Sequence, residues 1–189
     1  MNLNQFLKNK ITDCSDYILT NEDNNILEKK GKEEFIIGKL LSHKFRKRSI
    51  DAKTARHLKL SVNLNISKNQ PILFITSWGG YKMWRLPFYP YPDWAELFAI
   101  SYYCSFLAPI TKIYEPGVKL CFFSDDYIAE KINNIPHDSL RSYVETFRLL
   151  VGMFRNSLPN NLSIGVNGIF DIYSEQELAK EFSDNLSFF

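Results

Sequence analysis

The stretch PILFITSWGGYK, residues 71–82, decides the fold. Its opening residues, 71–75, form a short continuous apolar run, which is typical of a strand covered on both faces in a parallel sheet. A second such run, VKLCFF, occupies residues 118–123. The apolar stripe between them predicts a crossover helix over residues 93–108, which Pro109 closes. The strand, helix and strand form one unit of a parallel sheet.

The same alternation continues toward the C-terminal part of the chain. The pattern predicts a helix, then one or two strands, then a short helix, at Asp138–Asn156, Leu162–Tyr173 and Glu175–Phe182. Such alternation indicates an α/β, Rossmann-like fold, with a mostly parallel sheet and helices on both faces. We see no linker or repeat, so we predict one domain over residues 1–189. It has a mainly helical part at 1–60 and an alternating core at 68–173.

Composition argues against several classes of protein. The net charge of +2 offers no overall attraction to nucleic acid or to a membrane surface. No apolar run approaches the roughly 18 residues that span a bilayer. The three cysteines, Cys14, Cys104 and Cys121, lack metal-ligand spacing, and the polar, mixed residues 1–10 are not the pattern we expect of a secretory signal. We therefore expect free thiols, a reducing compartment and a cytoplasmic location.

Ligands of open α/β sheets bind outside the carboxyl ends of the strands, so two loops are candidates for a site. The first contains Gly79 and Gly80, whose backbone can approach a ligand closely and offer N–H groups to an anion. Lys82 then adds a positive charge. The spacing lacks the GK[ST] ending of a nucleotide-binding loop. A plain glycine turn beside a surface lysine is the alternative.

The second loop begins with Ser124, Asp125 and Asp126. Adjacent residues of an extended chain point to opposite sides, so we expect one carboxylate to face the site and the other to cap the next helix. The acid in the site could act as a general base, bind an amine or hydroxyl, or hold a divalent metal. Capping alone is the alternative.

Further residues near the two loops extend the candidate site. Glu96 has the spacing of a capping box at the start of the predicted helix, which is its simplest explanation. Trp78 and Tyr81 could stack on an aromatic ring. Arg85 and the basic cluster at residues 43–48 could bind a phosphate or carboxylate, although a solvated surface explains the cluster as well.

Two segments carry recognisable motifs: PYPDWAE at residues 90–96 and YEPGVKLCFFSDD at residues 114–126. Together with the lysine-containing loop, they resemble the isocyanide (isonitrile) synthase family, which includes the fungal spore-wall dityrosine proteins. Members of that family have a Pro-Asp-x-Ala-Glu helix start and a Tyr-x-Pro-Gly turn before a strand ending in Ser-Asp-Gly. The resemblance covers roughly residues 68–150, in matching order and spacing.

The resemblance implies a Rossmann-like fold and a reaction that converts the α-amine of an aromatic amino acid into an isonitrile, with the carbon taken from ribulose 5-phosphate. It implies no metal or redox cofactor. We therefore expect a biosynthetic enzyme of secondary metabolism with two catalytic residues. Lys82 would contact phosphate or activate a carbonyl through an imine, and Asp125 would be the general base or amine anchor.

The remaining candidate residues would bind the substrate: Trp78, Gly79, Gly80, Tyr81, Arg85, Glu96, Ser124 and Asp126. The expected partner is a small molecule, either an amino acid or a sugar phosphate, with no membrane and no favoured role for nucleic acid. A homo-oligomer or a partner protein is also compatible with the sequence. Two other functions stay open: a non-catalytic partner-binding module that kept the fold, and a metal-dependent transferase that uses a nucleotide-activated donor.

The cysteines give the first testable prediction. All of Cys14, Cys104 and Cys121 should titrate as free thiols when the protein is denatured without a reductant. Thiol titration with a chromogenic disulfide reagent measures this directly. A disulfide between any pair would contradict the expected reducing compartment.

Overall fold

The computed structural model describes residues 5, 9, 14–42, 49–78, 91–155 and 158–186, except for the side chains of Asn133, Phe182, Asn185 and Leu186. Within them, the elements in chain order are α1 (Asn21–Leu41), α2 (Ala52–Ser67), β1 (Ile72–Ser77), α3 (Trp94–Ile113), β2 (Val118–Ser124), α4 (Asp126–Asn133), α5 (His137–Arg155), β3 (Leu162–Gly168), a short 3-10 helix (Ile169–Asp171) and α6 (Glu175–Leu186). Helix α1 is kinked at Gly31.

The three described strands form one open parallel sheet in the order β1-β2-β3. The backbone N–H of Ile72 donates to the Gly117 carbonyl at 3.0 Å, and the N–H of Trp78 donates to the Phe123 carbonyl at 2.7 Å. Both partners advance along the chain together, as parallel strands require. The α/β class and the predicted parallel pair, β1 and β2 with a helix between them, are thus confirmed.

Helix α3 is longer than the sequence predicts. Pro109 lies inside it, and the helix continues to Ile113, so the expected end at Pro109 is wrong. A proline inside a helix costs about 3 kcal/mol because it lacks an N–H and crowds the preceding turn. The neighbouring side chains of Leu107 and Ile110 are fully buried. Their burial contributes roughly 1.5–3 kcal/mol each, which offsets that cost and keeps the chain helical.

Strand β1 is not covered on both faces as expected. Its residues alternate, and the side chains of Leu73 and Ile75 are 56% and 58% exposed. Strand β2 lies in the middle of the order and buries Val118, Leu120 and Phe122. An apolar run thus marked the strand correctly but did not reveal that β1 occupies an edge of the described sheet.

The chain divides into two compact units. The first comprises Met1–Phe74, Ala99–Lys119 and Phe154–Ser163, and the second comprises Ile75–Phe98, Leu120–Met153 and Ile164–Phe189. The expected single domain over residues 1–189 stays a prediction. No helix of the described residues is both long enough and apolar enough to cross a membrane.

In the first unit, the turn that follows α3 is fixed by partly buried hydrogen bonds. The Tyr114 hydroxyl donates to the Gln70 carbonyl at 2.6 Å, and the Asn161 side-chain amide donates to the Thr111 carbonyl at 2.8 Å. Gly117 has a φ of +71°, and a Cβ there would overlap the Asn161 carbonyl. Residues 115–117 therefore form a turn, with a glycine where no other residue would fit.

The second unit has an aromatic core. The Phe147 ring lies 5.2 Å from the Phe122 ring and 6.0 Å from the Tyr143 ring, between centroids. All three side chains are at most 1% exposed. Aromatic side chains of this size dominate the hydrophobic stabilisation of a core.

The three thiols are free, as the sequence predicts. Cys14 and Cys104 are buried, Cys121 is half-buried, and all are free thiols in the structure. Burial raises the pKa of the Cys104 thiol, with the nearby Cys14 adding to the rise, and burial also raises the pKa of Cys121. A thiol with a raised pKa is a weak nucleophile at neutral pH.

Asp23 anchors the start of α1 in the first unit. Its carboxylate accepts hydrogen bonds from the Tyr17 hydroxyl at 2.7 Å, the Lys39 ammonium at 2.6 Å and the Thr20 N–H at 3.0 Å. Burial opposes ionisation, but these donors outweigh it and hold the pKa of Asp23 well below its usual range. Burial and the adjacent Asp23 raise the pKa of Tyr17 to about 12.

The stability of the protein should therefore depend on pH through Asp23. Because its folded-state pKa is depressed, its contribution is complete above the unfolded-state pKa of about 3.9 and is lost as the pH falls below that value. We expect Asp23→Asn to lower the free energy of unfolding by about 2 kcal/mol near neutral pH, with the difference shrinking in acid. Urea denaturation of both proteins across pH measures this. The exposed Asp16 provides the control, since Asp16→Asn should leave the curve unchanged, and a deficit for Asp23→Asn that persists in acid would contradict the role given to ionised Asp23.

Candidate functional site

The carboxyl ends of β1 and β2 are neighbours, as the site prediction requires. Trp78 is the residue after β1, and its backbone N–H donates to the carbonyl of Phe123, one residue before the end of β2. This bond places the residue after one strand directly beside Ser124. The two predicted site loops therefore begin at adjacent points of the second unit.

The indole of Trp78 is held against the aromatic core. Its ring centroid lies 6.0 Å from that of Phe122, with the planes at 81°, and 6.4 Å from that of Phe147. The residue is half-buried. Its indole Nε1 donates to the Glu96 carboxylate at 3.3 Å. Trp78 thus positions the end of β1, while its use as a stacking surface for a ligand stays a prediction.

Glu96 is a buried carboxylate at the start of α3. Its Oε2 accepts from the Asp93 N–H at 2.7 Å, which confirms the predicted capping interaction. Its Oε1 also accepts from the Tyr143 hydroxyl at 2.9 Å and from Trp78. The side chain is 0% exposed. Donors on three segments therefore converge on one buried charge, which is a larger role than helix capping.

Tyr143 is the polar partner that the sequence did not reveal. The helical pattern places Tyr143 on the inner face of α5 and therefore predicts an aromatic residue of the core. In the structure its hydroxyl is buried, and burial together with the negative charge of Glu96 raises the pKa of Tyr143. The sequence offered only a general indication of this role, since the hydroxyl of any buried tyrosine needs a hydrogen-bond partner.

Ser124 and Asp125 occupy the end of β2. The Ser124 side chain is 3% exposed, and its hydroxyl oxygen has no hydrogen-bond partner in the part of the chain that the structure describes. Asp125 is half-buried at the position before α4, and its side chain makes no capping hydrogen bond. The capping alternative is therefore not realised at Asp125, whose carboxylate is left available for another use.

Asp126 is the first residue of α4, and its carboxylate lies beside the residue that follows β3. It is 5% exposed, and its Oδ1 accepts from the Ile169 N–H at 2.8 Å. A Cβ at Gly168 would overlap the Asp126 Oδ2, so the close approach of this carboxylate to the end of β3 depends on a glycine there. Burial raises the pKa of Asp126 despite the Ile169 hydrogen bond.

Several predicted site residues lie outside the described residues: Gly79, Gly80, Tyr81, Lys82, Arg85 and the basic cluster at 43–48. Of the predicted site, the structure therefore brings together Trp78 and Glu96, places Ser124 and Asp125 at the adjacent strand end, and turns Asp126 toward β3. Within the described ranges, no group of at least three His, Cys, Asp or Glu side chains could hold a metal ion.

Comparisons with known proteins find no matching family model, no matching curated protein and no matching solved structure.

The Glu96 cluster yields a prediction about stability. Tyr143→Phe keeps the ring but removes one donor from a buried carboxylate, so it should lower the free energy of unfolding by about 2 kcal/mol. Urea denaturation measures the loss. Tyr91→Phe, at a 56% exposed position of the same unit, is the matched control and should be neutral. If both variants are as stable as the unmodified protein, the Tyr143 hydroxyl does not support Glu96.

Proposed function

We propose that this chain is a small-molecule biosynthetic enzyme of the isocyanide synthase type, which acts on the amine of an amino-acid-like substrate together with a pentose phosphate. The observation that carries the proposal is the junction made by Trp78. This residue bonds the end of β2 through its backbone and Glu96 through its indole. The two sequence segments that carry the family resemblance therefore meet at the carboxyl ends of β1 and β2, where α/β enzymes bind their ligands.

The described sheet is compatible with this proposal. Three parallel strands in the order β1-β2-β3, joined by helices, agree with part of a Rossmann-like fold. The proposal takes the complete fold to be Rossmann-like, with the substrate at the ends of the first two strands.

The polar groups at this edge suit a substrate that carries an amine. Asp125 offers a carboxylate that is not engaged in capping, and it is our choice for the general base or the amine anchor. The buried Ser124 hydroxyl supplies a hydrogen-bonding group beside it. Lys82, outside the described residues, is assigned phosphate contact or carbonyl activation from the glycine-lysine loop of the sequence and from the family resemblance.

Turnover with a labelled carbon donor tests the proposal. The protein is incubated with tyrosine or tryptophan and ribulose 5-phosphate labelled uniformly with carbon-13, and products are followed by mass spectrometry. We expect an isonitrile that contains one labelled carbon, formed from the amine nitrogen of the amino acid. Binding of neither substrate by calorimetry, together with no product, would favour the partner-binding module instead.

Asp125 is tested separately. Asp125→Asn should reduce turnover at least about a hundredfold, the usual contribution of a general base, while changing the free energy of unfolding by less than about 0.5 kcal/mol. The small stability change is expected because the side chain makes no capping bond. Asp138→Asn, an exposed acid near the start of α5, is the matched control and should retain full turnover. Full turnover by Asp125→Asn would remove Asp125 from the chemistry.

A further inference from the structure

A cavity of about 320 Å³ lies in the second unit, and Asp126 is one of its lining residues. Neither Trp78 nor Glu96 is in its lining. Helix α5, the 3-10 helix and the start of α6 supply its other walls. The volume is at the small end of the range for ligand sites, which points to a small molecule. Asp125 is not among its lining residues, so the cavity is separate from the amine anchor of the proposed function.

The cations that line this cavity are already paired. The Arg148 guanidinium donates to the Asp171 carboxylate and to the Val166 carbonyl, the latter at 3.2 Å. Arg141 donates to Glu145, also in the lining, at 3.3 Å. An anionic ligand would have to compete with these acids for both arginines.

The third basic residue of the lining is also engaged. The His137 imidazole lies 2.8 Å from the Glu130 carboxylate. Its ring contacts that of Phe170 with the centroids 5.0 Å apart. The imidazole is therefore held by its neighbours and is not aimed as a lone cation at a ligand.

Two acids of the lining make no ion pair within the described residues. Asp126 is the buried one, and the donors that reach its carboxylate are backbone N–H groups, not cations. Glu175, exposed at the first position of α6, makes no ion pair within those residues. The hydrogen bond to Glu130 raises the pKa of Lys131, and the charge of Glu175 adds to the rise; the lysine ammonium donates to Glu130 at 2.9 Å.

Apolar side chains complete the lining. Leu140 and Val144 are buried on the inner face of α5, and Phe170 is half-buried on the 3-10 helix. A buried carboxylate beside such surface is costly unless a donor or a cation reaches it. The raised pKa of Asp126, caused first by burial, reflects that cost. A ligand with an ammonium group on a hydrocarbon stem would relieve it and would bury the stem as well.

We propose that this cavity binds a linear aliphatic diamine, with one ammonium at Asp126, the other at Glu175, and the methylene chain against Leu140, Val144 and Phe170. The assignment goes beyond the proposed function and does not depend on it. It follows from an excess of unpaired acids in a cavity whose arginines are satisfied.

Calorimetry and melting curves near neutral pH, with diamines from 1,3-diaminopropane to 1,6-diaminohexane, test the site. At least one diamine should bind saturably and about tenfold more tightly than 1-aminobutane, because a second charge-assisted contact is worth about that factor. 1,4-Butanediol, which has no charge, should not bind. Stabilisation by inorganic phosphate but by none of the amines would overturn the assignment.

Variants then locate the two ammonium contacts. Asp126→Asn keeps an acceptor for the Ile169 N–H and should weaken diamine binding about tenfold or more. Glu175→Gln, at an exposed helix start where folding is not at risk, should abolish the preference for diamines over 1-aminobutane. Glu115→Gln, an exposed acid of the first unit, is the control and should bind as the unmodified protein does.

Comparing Glu175→Gln with the unmodified protein tests the diamine site even if Asp126→Asn fails to fold. A diamine preference that survives in Glu175→Gln would overturn the proposal, as would unchanged binding by a folded Asp126→Asn. Neither outcome bears on amino-acid turnover, which is measured with Asp125→Asn. Failure of the diamine site and failure of the proposed enzyme activity are therefore distinguishable.

Discussion

The buried carboxylate of Glu96 is the interaction on which the carboxyl edge of this sheet depends. A full negative charge without exposure is tolerated only where donors surround it, and here they come from the residue after β1, from the start of α3 and from α5. Loss of any donor leaves part of the charge unsatisfied in an aromatic environment. The geometry of the strand ends is therefore fixed by the need of the Glu96 carboxylate for hydrogen-bond donors, two of which are Trp78 and Tyr143.

Much of the fold follows from patterns in the sequence. The apolar runs that became β1 and β2 were predictable because burial imposes them, and the helix between them dictated the parallel arrangement. Local rules failed where packing outweighed them. Pro109 did not end α3, since the burial of its neighbours stabilises the helix through that position. An apolar run also could not distinguish the edge strand, with Leu73 exposed, from a central one.

The candidate site was predictable to about the same extent as the fold. Glu96 was correctly assigned to the helix start because its partner, Asp93, lies close in sequence. Tyr143 was not foreseen, since it meets Glu96 across 47 residues of chain and carries no local signature. Alternation along an extended chain predicts that Asp125 and Asp126 point to opposite sides, and this stays a prediction. Which of them turns toward β3 depends on Ile169, whose approach only the tertiary structure reveals.

The contact between Asp126 and Gly168 has a consequence for how this sequence can diverge. The two positions, 42 residues apart by number, share one small volume, because the carboxylate occupies the space that a side chain at 168 would need. Relatives of this protein with alanine or serine at 168 should either carry a shorter residue at 126 or hold the Asp126 carboxylate in another position. Substitutions at position 168, at the end of β3, and at position 126, just after β2, are therefore expected to occur together.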